Sequence, residues 1–260
     1  MSESEPEHAP PQEAPTQEPT RELSDVPWSI GDSLATFALW WLVIIGFMLA
    51  LFPTLQRFLP GIDLRGPSLP LTLLALFGVT WLYLRRFGEQ AKRRWGPRRP
   101  SWRAVGVGVG GGAVAALVLA LGLGAAIQAL VNALDGQMPA IQEDFRQLAS
   151  DEQNSVLLIL SSVLVAPLAE ETFFRGMFFP ALLRRFGLWP AMGLSASLFS
   201  VGHLQSTLTG TLFVILVILP FGMFLAWLYH RFETLAAPMA AHATFNLINV
   251  VLLIRQAQAG

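Results

Sequence analysis

Two glutamates and an arginine stand in a stretch that is otherwise apolar or small. Between Ser161 and Leu183 the ionisable residues are Glu170, Glu171 and Arg175. A charge at bilayer depth costs roughly 3 kcal/mol or more, so such residues face a protein interior and mark a site or a pathway. On a helix, residues four apart share a face, whereas neighbours diverge by about 100°. Glu171 and Arg175 can therefore neutralise one another, while Glu170 points elsewhere with its carboxylate free. A free carboxylate of this kind suits a general base that takes a proton from water and returns it to a leaving group.

Three later polar residues fall at a similar depth. At 1.5 Å per residue, Glu170 stands ~21 Å above Arg184, and His203 stands ~21 Å above Trp189. Counted from Arg231, His242 is ~16 Å up and Asn246 ~22 Å up. His242 and Asn246 are four apart and project from one face. Any one of these residues alone reads as a hydrogen bond between helices. Together, Glu170, His203, His242 and Asn246 at one depth read as an intramembrane catalytic centre. His8 falls in a solvated tail, and His230, beside Tyr229 and Arg231, reads as interfacial; neither is included.

The elements that must position these groups are transmembrane helices. More than half the residues are apolar, 13% are charged, and the mean hydropathy is +0.51. That composition excludes an ordinary soluble domain and predicts an all-α, polytopic membrane bundle. About seven spans are expected, near 33–55, 68–86, 104–134, 154–184, 188–206, 210–230 and 234–255. Pro167, Pro180 and Pro220 are expected kinks. With no cysteine in the chain, disulfides, thiolate metal sites and a cysteine nucleophile are excluded.

Three regions follow: an acidic Pro/Glu-rich tail over 1–26, transmembrane helices without motif over 27–152, and a catalytic core over 153–260. The tail carries seven acidic residues and five prolines up to Asp25, and is expected to be disordered. Arg85 to Arg103 holds eight Arg or Lys and one Glu, whereas Asp135 to Glu152 holds five acidic residues and one Arg. Positive-inside then places the first loop and the N-terminus in the cytoplasm and the second loop outside. Arg57 and Arg65 count against this orientation. The run GVGVGGGA, Gly106 to Ala113, reads as close helix packing rather than a nucleotide loop: Gly106/Gly110 and Gly108/Gly112 have small-xxx-small spacing, and no strand precedes them.

At the polar residues the chain resembles the CPBP family: CAAX prenyl endopeptidases of the type II kind and their bacterial, bacteriocin-processing (Abi) relatives. The family pattern is Glu-Glu-x-x-x-Arg, then Phe-x-x-x-His, then His-x-x-x-Asn or Asp. The chain supplies EETFFR (Glu170, Glu171, Arg175), FSVGH (Phe199, His203) and HATFN (His242, Asn246), in order. The resemblance implies an endopeptidase acting within the membrane on a membrane-associated protein or peptide, with no nucleic-acid partner. It makes Glu170 the water-activating base, assisted by His203. His242 and Asn246 would orient or stabilise the oxyanion, and Glu171, Arg175 and Phe199 would support them. Zinc held by Glu170, His203 and His242 is the metal-dependent variant of the same reading. The bacterial inner membrane is the expected location.

Other functions are weighed against this one. A rhomboid-like serine mechanism would pair Ser195 with His242 and leave Glu170 and His203 unexplained. A proton-coupled transporter would show matching broken helices in two halves, whereas the polar residues all lie in the C-terminal half. An idle membrane scaffold or bacteriocin-immunity protein keeps the motifs without using them.

Overall fold

The computed structural model describes residues 23–89, 91, 101–133, 143–205 and 208–259. Eight helices are used below: α1 Ile30–Phe58, α2 Arg65–Phe87, α3 Trp102–Ile127, α4 Glu143–Ser150, α5 Glu152–Phe186, α6 Leu188–Val201, α7 Leu208–Phe232 and α8 Ala236–Ala259. Among the described residues there is no strand, and six helices are long and apolar enough to cross a membrane. The protein is a polytopic helical bundle. The fifth expected span, 188–206, is instead α6, a shorter apolar helix of 14 residues. It stops before His203 because its last turn tightens into three-residue steps, Gly202 N–H to Phe199 O and His203 N–H to Ser200 O.

The centre of the bundle is α5. Every residue from Glu171 to Leu182 is buried, the signature of a helix covered on all sides. Its covering helices are α1, α2, α6, α7 and α8. The ionisable cluster thus lies on the one helix that lipid does not reach along this stretch. Towards its N-terminus the same helix shows Val156, Leu160, Leu164 and Leu168 as an exposed apolar stripe.

Three wide, π-type turns are each followed two residues later by proline: Phe47–Leu51 by Pro53, Ser161–Val165 by Pro167, and Phe174–Phe178 by Pro180. Proline lacks the N–H and its ring crowds the carbonyl four residues back. Widening the preceding turn makes room without ending the helix. Pro167 and Pro180 thus each follow a widened turn, while Pro220 is carried inside α7.

The glycine run resolves into two behaviours. A Cβ on Gly108 would overlap the Ala237 carbonyl oxygen, and one on Gly112 the Ala241 carbonyl oxygen. Gly106 and Gly110 face open space, and Gly111 meets the Phe224 ring. The Gly108/Gly112 pair thus lets α3 press backbone to backbone on α8, directly behind His242, as small-residue packing requires.

Two segments are more ordered than the sequence suggests. The expected tail lies outside the described residues up to Glu22, but Val26 and Trp28 are buried. Trp28 Nε1 donates to the Met177 carbonyl at 2.8 Å, and Arg184 donates to the Val26 carbonyl at 2.8 Å. Ser29 then opens α1 with a capping box completed by Asp32. The acidic stretch before α5 holds α4, whose Phe145 and Ala149 pack on Val250, Leu253 and Ile254 of α8. Arg65, which counts against the charge-based orientation, is paired with Asp63 at 2.9 Å and bonded to Gln147 of α4. Arg65 holds the Asp63 carboxyl below its ordinary value, so this tie is present at neutral pH and is lost as acid protonates Asp63.

Gly112→Ala is expected to destabilise the protein by about 1–3 kcal/mol through overpacking. Gly110→Ala should raise stability by about 0.5–1 kcal/mol through helix propensity alone. Thermal unfolding of the two variants in detergent checks the opposite signs.

Candidate active site

Glu171 and Arg175 are one helical turn apart on α5 and both completely buried, with Arg175 Nη1 donating to Glu171 Oε1 at 2.9 Å. A second guanidinium nitrogen, Nη2, donates to the Gly222 carbonyl of α7 at 2.9 Å. The guanidinium also lies over the Phe199 ring of α6, 4.8 Å from its centroid. One cation thereby ties α5, α6 and α7 together. Gly222 permits this approach: its backbone is so close to Ala196 of α6 that a Cβ would lie 3.0 Å from the Ala196 Cβ.

The same Glu171 oxygen receives a second donor. His242 Nδ1 lies 2.9 Å from Glu171 Oε1. A carboxylate already held by arginine accepts hydrogen bonds, so Nδ1 carries the proton, and Nε2 is the ring nitrogen left for chemistry. Nε2 faces Glu170, 3.7 Å from its Oε2. That separation exceeds a hydrogen bond. Glu170 retains 15% side-chain exposure, against 3% for His242, and its Oε2 is a buried atom with no hydrogen-bond partner. Glu171 is thus the carboxylate paired with Arg175, while Glu170 Oε2 stays without a hydrogen bond.

The His242 ring is clamped between aromatic edges. Phe199 and Phe221 each stand 5.8 Å from it in edge-to-face contact, a favoured geometry for ring quadrupoles. Phe199 also packs on His203, with centroids 4.9 Å apart. His203 Nδ1 donates to the Phe199 carbonyl at 3.1 Å, which leaves its Nε2 as an acceptor. Gln205 fixes the turn that carries it, with Nε2 donating to the His203 carbonyl. His203 makes neither a hydrogen bond nor an ion pair with the two glutamates; it meets the cluster through Phe199. Asn246, one turn beyond His242, donates from Nδ2 to the Ser162 carbonyl at 2.7 Å.

The structure therefore gathers Glu170, Glu171, Arg175, His242 and Phe199 in direct contact and holds His203 and Asn246 at the margin. The zinc variant does not fit these residues. Among the described residues no three His, Cys, Asp or Glu side chains form a group that could hold a metal ion. Ser195 does not meet His242: it is fully buried and donates to the Phe174 carbonyl at 3.5 Å. Sequence reasoning missed Gly222, Phe221 and Ser162. Two contribute only a backbone carbonyl, which residue type cannot signal, and the third is one phenylalanine among 18.

Residues 152–248 match the family described as type II CAAX prenyl endopeptidase Rce1-like. The resemblance to the CPBP proteases holds over this segment. It includes all of α6 and α7 and every polar residue named above. No curated protein and no solved structure matches the chain.

Arg175→Leu leaves the Glu171 carboxylate buried without its cation and is expected to cost about 3–5 kcal/mol. Loss of folded protein on size-exclusion chromatography, at a temperature where the intact protein is stable, checks this.

Proposed function

We propose that the protein is an intramembrane endopeptidase that hydrolyses a peptide bond of a membrane-associated protein or peptide with a water activated by Glu170. The observation that carries this reading is the 3.7 Å approach of Glu170 Oε2 to His242 Nε2, with Glu171 and Arg175 sealed behind the ring. The Rce1-like match over residues 152–248 supports the same class of chemistry.

In this mechanism Glu170 removes a proton from water, and the water oxygen attacks the scissile carbonyl carbon. Charge then develops on the carbonyl oxygen, where fixed donors lower the barrier most. Asn246 Nδ2 has a second N–H for that oxygen, and His242 offers Nε2 once it takes a proton. Collapse of the tetrahedral species breaks the C–N bond, and Glu170 returns its proton to the departing amine. Glu171 holds the His242 ring in one tautomer and orientation; Arg175 holds Glu171. His203 takes the assisting role from the rim of the site, its free Nε2 accepting from the attacking water. The catalytic core is residues 153–260, in a bacterial inner membrane with the N-terminus cytoplasmic.

Glu170→Gln keeps the shape of the side chain and removes its basicity. It should abolish peptide release, by about 1,000-fold or more, while its unfolding temperature stays close to that of the intact protein. The measurement compares peptides released from membranes carrying either form. Equal peptide profiles from two folded proteins would remove the proteolytic reading and favour a scaffold.

A further inference from the structure

The oxyanion role given to Asn246 requires that its amide be aimed, and the turn opposite it supplies the means. The acceptor of Asn246 Nδ2, the Ser162 carbonyl, belongs to the wide turn Ser161–Val165 of α5. In a regular helix such a carbonyl is already used by an N–H one turn onward. Through this turn the bonds run one residue longer, with the Ala166 N–H donating to the Ser161 carbonyl. The next donor in that series would be residue 167, onto Ser162. Residue 167 is proline and has no N–H to give. A part-buried carbonyl left without its helical donor is open to another, and Asn246 supplies it from across the α5–α8 contact.

The consequence for Asn246 is orientational. A carbonyl only accepts, so the amide must turn its nitrogen, not its oxygen, toward Ser162. The amide is planar, so fixing one N–H fixes the direction of the second. We propose that Pro167 is a positioning residue: by withholding one N–H it frees the Ser162 carbonyl, which aims the remaining Asn246 N–H at the reacting carbonyl oxygen. The kinetic part of this proposal rests on the proteolytic reading; the hydrogen-bond part does not.

The test is a double-mutant cycle on the full-length protein, read both as peptide release and as thermal unfolding. Asn246→Ala should lower kcat by about 100-fold, the size seen when one oxyanion donor is removed. Pro167→Ala restores a competing N–H and should lower kcat by about tenfold with little change in KM, as expected of a misplaced group. The double variant should equal Asn246→Ala alone, because both act through one hydrogen bond. Pro53→Ala removes the same turn–proline pairing in α1, where no residue of the wide turn is buried, and should leave kcat unchanged. Pro167→Gly, which restores the N–H with no side chain to place, serves if Pro167→Ala fails to fold. Additive effects in the kinetic cycle, or wild-type kcat in the folded Pro167 variant, each overturn the proposal. If the intact protein cleaves nothing, the proteolytic reading fails and the thermal cycle decides alone: coupled unfolding temperatures support the Pro167–Asn246 link and additive ones refute it.

Discussion

The buried pair Glu171–Arg175 is the interaction on which the site depends. Two charges removed from water are stable only if each finds its partner and its remaining hydrogen bonds. Here Arg175 reaches Glu171, the Gly222 carbonyl and the face of Phe199, so its satisfaction requires α5, α6 and α7 in one arrangement. Glu171 adds α8 through His242 Nδ1. Four helices are thereby placed by two side chains. The pair specifies geometry more than it adds stability, because the cost of taking both charges out of water offsets much of their attraction.

That fixed geometry separates two adjacent carboxylates into different roles. Glu171 is fully buried and saturated on one oxygen by a guanidinium and an imidazole, which makes it an orienting group. Glu170, about 100° further round the helix, keeps partial exposure and has no arginine partner. The difference comes from position on the helix, not from residue type. The backing of His242 follows the same logic. Gly108 and Gly112 allow α3 to lie against the α8 backbone at Ala237 and Ala241, next to His242 in the chain.

The wide turns show how proline is used in the central helix. Pro167 and Pro180 bracket the Glu-Glu-x-x-x-Arg motif, each behind a π-type turn. The backbone widens ahead of the two glutamates and again through Arg175, and carbonyl groups that a straight helix would consume become available. Ser162 gives one to Asn246. In the other turn, the Met177 carbonyl accepts from Trp28 of the segment ahead of α1.

The sequence by itself determined the class of fold and most of the site. Hydropathy requires helices in a membrane, and the Glu170, Glu171 and Arg175 spacing already separates a paired carboxylate from a free one. The common depth of Glu170, His242 and Asn246 follows from counting residues along helices. Counting cannot rank partners, however. It treats His203 and His242 alike, yet only His242 meets the glutamates, because α6 ends in a tightened turn and sets His203 at the rim. It sees four glycines at equal spacing, yet only Gly108 and Gly112 touch α8, a choice made by the rotation of α3 about its own axis. It also misses the acceptors at Gly222 and Ser162, since every residue has a carbonyl and only packing decides which one faces a donor. Side-chain identity is local and legible. Which helix face meets which is a property of the assembled bundle, set by charges that must all be satisfied at once.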